Sequence, residues 1–170
     1  ANTYQVSYFQ IFRNYKRKQW SRSQHASQSL GTIRGDEGLK EPLIIDSNER
    51  GPLKDAVIRM AEKGGIPVKQ QYLQGMGDYK AGNAHIECKS ISDLFQSTYS
   101  GHLMRQLENL DANCERVFLV VHGDLAKYVK MATNQGRKIT YSKALNQITG
   151  VIARIMADFD CHVWKAKDYS

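Results

Sequence analysis

The stretch "HIECKSISDLF", residues 85–95, places Glu87, Lys89 and Asp93 within seven positions. If it is a strand, alternation puts His85, Glu87 and Lys89 on one face and Ile86 and Cys88 on the other. The second face is small and apolar and suits packing. The first offers a carboxylate beside an ammonium. Asp78 lies nine residues before Glu87, across the glycine-punctuated "QGMGDYKAGN", and a hairpin there can bring the two carboxylates together. Oxygens from two separate acids are what a hard cation such as Mg²⁺ takes, with water and phosphate at its other positions. Such a cation activates water and neutralises phosphoryl charge. A neighbouring lysine can position that water or stabilise developing charge, and a buried lysine shifts its pKa readily. The plainer reading of acid-x-Lys on a strand is an exposed ion pair worth about 0–1 kcal/mol, and the pattern alone favours it.

The elements that must position these residues are legible from residue 42 onward. "PLIID" is a short apolar strand, and Gly51-Pro52 opens a helix to about residue 63, with Leu53, Val57 and Met60 at helical spacing. "EKGGIP" stops it. "VKQQYL" and "AHIECKS" read as strands on either side of the glycine-rich turn. Ser90 or Ser92 can cap a helix carrying Leu94, Phe95, Leu103, Leu107 and Leu110, which Gly101 divides in two. "RVFLVV" has the apolar continuity of a strand buried on both faces. Asp124 can cap a helix to about residue 132, and "GRKIT" is a loop. A long amphipathic helix over residues 141–159 turns Leu145, Ile148, Ile152, Ile155 and Met156 inward. "CHVWKA" is a final strand. The order predicts an α/β domain with a central sheet between helix layers. A doubly wound nucleotide-binding fold would share it, but no GxGxxG or GxxxxGK[ST] follows a strand.

Composition narrows the class. The chain has 170 residues, enough for one domain with a real core. No apolar run could cross a bilayer, and the first twenty residues hold cations but no apolar signal region. Three widely spaced cysteines, Cys88, Cys114 and Cys161, suggest neither zinc nor a disulfide framework. The reading is a reducing, intracellular protein. Of the net charge of +7, residues 1–35 carry +6, leaving +1 for residues 36–170. Residues 1–40 are therefore read as a basic, partly flexible arm, with a short strand or hairpin possible around Tyr4, Val6 and Tyr8. Arg13, Lys16, Arg17, Lys18 and Arg22, interleaved with Tyr15 and Trp20, suit a phosphate backbone and exposed bases. A solvated tail accounts for the same composition equally well.

"IIDSNE", then "GDY", then "IECKSISDLFQSTYSGHLMRQL" closely resembles the XPF/Hef family of structure-specific DNA endonucleases. That family's pattern is an apolar strand ending in D-x-R-E, then G-D-Y, then E-R-K-x-x-x-D-L, then a Gly-Arg turn leading to a glutamine. Asp46 and Glu49 match the first element, and Gly77, Asp78 and Tyr79 the second. Glu87, Lys89, Asp93 and Leu94 match the third, and Gly101 and Gln106 the last. The resemblance covers about residues 42–165. It implies a restriction-endonuclease-like three-layer α/β/α core with a central mixed sheet, following the basic N-terminal extension, with the nuclease domain over residues 41–170. It implies hydrolysis of branched DNA, as flaps, forks or Holliday-type junctions, with Mg²⁺ or Mn²⁺. Asp78, Glu87 and Asp46 would be the metal ligands and Lys89 the catalytic lysine, with Glu49 and Asp93 in support. Pairing into a homodimer or heterodimer is implied too, and the helix at residues 141–159 could supply that face or could be core.

Three family arginines are absent: Asn48, Cys88 and His102 stand in their places. His102 is kept with the arm cations as an expected DNA contact. The family commonly continues into a tandem helix-hairpin-helix module, and nothing after "HVWKAKDYS" corresponds to it, as in a fragment or a processed product. A non-catalytic DNA- or partner-binding paralogue is the rival expectation, as is a nuclease of this fold acting on another DNA feature. The retained acids and lysine favour activity. The implied location is at DNA inside the cell, in the nucleus of a eukaryote or in the cytoplasm or host cell otherwise.

Overall fold

Two glycines, a serine, an aspartate and a threonine set the helix starts in the computed structural model, which describes residues 41–166. The basic arm, its cations and its expected strand lie outside the described residues. The order is β1 (Leu43–Asp46), α1 (Pro52–Lys63), β2 (Val68–Gln71), β3 (Tyr79–Ala81), β4 (Ala84–Ser90), α2 (Ile91–Tyr99), α3 (His102–Asn113), β5 (Arg116–His122), α4 (Leu125–Asn134), α5 (Tyr141–Asp158) and β6 (Cys161–Lys165). Pro52 occupies the first turn of α1, after Gly51, where its missing N–H costs nothing. Ser90 Oγ accepts the Asp93 N–H at the start of α2, Asp124 Oδ1 the Ala126 and Lys127 N–H groups of α4, and Thr140 Oγ1 the Lys143 N–H of α5. Gly101 separates α2 from α3 with φ of 70°, a left-handed conformation that costs glycine little.

The six strands among the described residues form one mixed sheet in the order β2-β1-β3-β4-β5-β6. β1 pairs parallel with β2 and antiparallel with β3, β3 antiparallel with β4, and β4, β5 and β6 run parallel. All strands except β3 therefore point the same way. From β1 the chain steps outward in one direction to β2. From β4 it steps in the other, through β5 to β6. Right-handed crossovers in opposite directions put their helices on opposite faces, so α1 covers one face and α2–α5 the other. This is the expected α/β/α layering. The larger core joins Val117, Leu119, Val121 and Cys161 of the sheet to Leu94, Phe95, Leu103, Leu107, Leu110, Leu125, Ala144, Ile148 and Ile155 of the helices.

Two details depart from the sequence reading. Leu145 is 41 % exposed and Met156 62 % exposed, rather than facing inward. The stripe of α5 that reaches the core runs through Ala144, Ile148 and Ile155, one position round the helix. Met60 of α1 is likewise turned outward, while Leu53 packs inward as its spacing implies and Ala61 takes the place of Met60. No helix among the described residues is long and apolar enough to cross a membrane.

Candidate active site

In an open sheet, sites form outside the carboxyl ends of parallel strands, where the strand order reverses. Here that place lies between β1 and β4, with β3 inserted. Asp46 ends β1, Glu87 and Lys89 lie in the last half of β4, and Asp78 immediately precedes β3. Asp78 is tied to both neighbours through its backbone: its N–H donates to the Ile86 carbonyl at 2.9 Å, and its carbonyl accepts the Asp46 N–H at 2.8 Å. His85 braces the preceding turn, with Nδ1 2.7 Å from the Met76 carbonyl oxygen. It is a support of the turn that delivers Asp78.

The side chains then converge. Lys89 Nζ lies 2.6 Å from Glu87 Oε1, so the acid-x-Lys pair does share one face. The pair is not a surface one, because the Glu87 residue is only 3 % exposed. Gln106, reaching across from α3, donates through Nε2 to the same Glu87 oxygen at 3.2 Å. Asp78 Oδ2 accepts the Cys88 N–H at 2.7 Å. Burial pushes the Asp78 carboxyl up to about 7, with the nearby Glu87 charge adding to it and the Cys88 hydrogen bond and Lys89 opposing it. Glu49 is also held above the usual carboxylate range, first by burial and then by Glu87, against the lowering influence of the nearby Tyr79. Asp78, Glu87 and Glu49 thus feel one another's charge.

Asp46 has a different part. Its Oδ1 accepts the Asn48 N–H at 2.7 Å and its Oδ2 the Leu73 N–H at 2.6 Å. Both oxygens hold backbone, closing the turn after β1 and clamping the loop after β2. Arg50 folds back on that turn through the Ser47 and Glu49 carbonyls. Asp93 stands apart as well: it is exposed, and its carboxylate accepts the Ser90 hydroxyl at 2.7 Å while its N–H donates back to that oxygen, a reciprocal cap on α2. Asp93→Ala is expected to lower stability by about 0.5–1 kcal/mol. Ser90→Ala should cost a similar amount and the double variant less than the sum, read from thermal melts. His102 is exposed in the first turn of α3.

Among the described residues, no three His, Cys, Asp or Glu side chains are gathered closely enough to enclose a metal ion. Asp46, Asp78 and Glu87 therefore do not form a closed three-ligand cage. The Asp78 and Glu87 pair fits a divalent cation nonetheless. The bonds described engage one oxygen of each, Oδ2 and Oε1. Mg²⁺ is usually held by one or two carboxylates and keeps several waters. A positive charge there would also offset the burial and the Glu87 repulsion that raise the Asp78 carboxyl.

A titration follows from the burial of Asp78 and from that repulsion. An acid whose folded pKa lies above its unfolded value binds a proton more tightly in the fold, so its contribution is full below the unfolded pKa and is lost as pH rises through the folded one. For Asp78 that window runs from its ordinary 3.8 to about 7. Thermal stability in EDTA is expected to fall between about pH 4 and 7, and Asp78→Asn should flatten the profile.

A family model described as the ERCC4 domain matches residues 45–170. The chain belongs to the ERCC4 domain family. The fold of this ERCC4 domain is similar to that of XPF from Aeropyrum pernix, at TM-score 0.57 and 23% identity over 75% of this chain and 57% of that one. It is similar also to XPF from Aeropyrum pernix in complex with DNA, at TM-score 0.58 and 22% identity over 76% of this chain and 58% of that one. The chain thus spans under two thirds of the length of the structures it matches. No curated protein matches it.

The resemblance in the sequence aligns Gln106 with the family's glutamine but gives it no task. Its bond to Glu87 and the Leu73 N–H on Asp46 have no periodic signal in the sequence. Each joins residues on different elements.

Proposed function

We propose that this ERCC4 domain is a metal-dependent endonuclease that hydrolyses phosphodiester bonds in branched DNA, at flaps, forks or Holliday-type junctions, in repair, recombination or replication inside the cell. The observation that carries this reading is the Lys89 ammonium 2.6 Å from a buried Glu87, at the sheet edge that also holds Asp78. Asp78 and Glu87 would hold Mg²⁺ or Mn²⁺. When bound, that cation lowers the pKa of water and neutralises charge on the phosphoryl group. The chain's own residues do the rest. Glu87 keeps Lys89 at the site, and Gln106 fixes the Glu87 carboxylate so that the pair is pre-organised. Lys89 presents an ammonium donor to the attacking water or to the phosphoryl oxygens. Asp46 holds the β1 turn from which Glu49 approaches. The XPF structure in complex with DNA supports DNA as the partner class, and Arg13, Lys16, Arg17, Lys18, Arg22 and His102 are proposed contacts.

The test is a cleavage panel with single-stranded, duplex, flap, fork and four-way DNA, each in Mg²⁺, Mn²⁺ and EDTA. Metal-dependent cutting of a branched substrate is expected. Binding to branched DNA with no cutting in any metal would instead make the chain a non-catalytic member of its family.

Pairing of two subunits is part of the same proposal. Tyr141, Leu145 and Met156 line one flank of α5, half or more exposed in most cases, with the half-buried Ile152 between them. Such a stripe suits a second copy or a related chain. Leu145→Ser/Met156→Ser is expected to shift the protein toward monomer in sedimentation with little change in its melting temperature. An unchanged sedimentation profile would move the interface elsewhere.

A further inference from the structure

Residues 125–153 hold five cations, Lys127, Lys130, Arg137, Lys138 and Lys143, and no aspartate or glutamate. Residues 36–170 sum to only +1, so what flanks this block sums to −4. The near-neutral total conceals a strongly basic segment set in an acidic remainder. All five side chains are exposed. Lys127 and Lys130 lie on α4, Arg137 and Lys138 in the loop after it, and Lys143 in the first turn of α5.

The fold gives this surface a definite relation to the site. Val121 is the register partner of Lys89 across β4 and β5, about 4.8 Å away in strand spacing. The chain passes from Val121 through three residues into α4. That helix is seated on α2, the helix that follows Lys89, by stacking of Phe95 on Tyr128 with ring centroids 4.7 Å apart. The basic surface therefore starts at the carboxyl edge of the sheet and leads away from it along α4. Ten helical residues extend about 15 Å. Duplex DNA presents about one phosphate per 1.7 Å of its axis, so the length of α4 faces several phosphates.

We propose that α4, the α4–α5 loop and the first turn of α5 grip the phosphate backbone of a duplex arm of the DNA substrate, leading away from the carboxylates. This rests on the reading of the chain as a nuclease for branched DNA, and adds a binding surface to it. The grip is sequence-independent, since lysine and arginine on phosphate carry no base information. It orients the arm so that the branch point meets Asp78, Glu87 and Lys89.

The test compares two triple variants of the full chain that remove the same charge. One is Arg137→Gln/Lys138→Gln/Lys143→Gln. The other is Arg59→Gln/Lys63→Gln/Lys69→Gln, exposed residues on α1, its end and β2. Binding of a fluorescein-labelled forked duplex is followed by anisotropy in EDTA, from about 50 to 300 mM salt, where counterion release dominates. The first triple is expected to reduce the slope of log K against log salt by about 2.7, at about 0.9 for each phosphate that is no longer neutralised. The second should leave it nearly unchanged. An unchanged slope in the first triple, or equal reductions in both, would overturn the proposal. Because no metal is present, binding and chemistry separate. A protein that cuts forks yet keeps its slope in the first triple fails this surface alone. One that shows the slope change but never cuts fails the nuclease reading alone.

Discussion

Lys89→Ala protein is expected to lose roughly 10²–10³-fold in single-turnover cleavage, the loss typical when one pre-organised donor is removed from a site of developing charge. The substitution has a second consequence. It leaves the Glu87 carboxylate, 3 % exposed, without the ammonium that lies 2.6 Å away. Breaking one side of a buried pair costs about 3–5 kcal/mol, so the melting temperature should drop too. Activity loss alone would then be open to explanation by misfolding. The double variant Glu87→Gln/Lys89→Met separates the two effects. It removes both charges at similar volume and is expected to recover most of the stability, but none of the cleavage. Asp78→Asn, with a near-isosteric side chain, should be equally inactive and well folded. A folded Lys89→Ala protein that cuts at the wild-type rate would remove Lys89 from the chemistry and leave it a structural partner of Glu87.

Gly77→Ala is expected to be among the most damaging small substitutions in the chain. Gly77 has φ of 85°, and a Cβ there would stand 2.8 Å from the Ile86 carbonyl oxygen. That carbonyl is the acceptor for the Asp78 N–H at 2.9 Å, so it cannot retreat without loosening Asp78 itself. A left-handed conformation costs an ordinary residue about 1–2 kcal/mol. The backbone clash adds to it, giving a loss of about 3 kcal/mol. Displacement of Asp78 by even an ångström can lower the rate about 10²-fold. Gly75 supplies the control: its φ is 75°, but a Cβ there meets nothing within 4 Å. Gly75→Ala should show only the conformational cost. Equal melting temperatures for the two variants would mean that close approach to Ile86 does not matter.

The glycine in "GDY" shows how much a sequence can hold without displaying it. The spacing of Gly77 before Asp78 is readable as a turn. That β4 lies close enough to exclude a methyl group depends on a pairing partner nine residues on. β3 is hidden for the same reason: three residues in a glycine-rich stretch have no periodicity, and only hydrogen bonds to β1 and β4 make them a strand. The longer elements are legible because their signals are local. Pro52, Ser90, Asp124 and Thr140 cap or open helices through neighbours in the chain, and alternation in "AHIECKS" already places Glu87 and Lys89 together. Leu145 and Met156 escape the periodic reading because α5 is apolar over more than one stripe. Which stripe turns inward is chosen by the helices and strands it meets, not by its own period.

The acids divide along the same line. Their types and spacing are enough to gather Asp78, Glu87 and Lys89 at one edge, since strand alternation and a hairpin act over a few residues. That Asp46 spends both oxygens on backbone N–H groups, one of them 27 residues away, is decided only in three dimensions. So is the entry of Glu49 into the electrostatics of Asp78 and Glu87. Periodicity reports the direction of a side chain from its own element. Hydrogen-bond partners and charge coupling depend on distances between elements, which exist only once the sheet has formed.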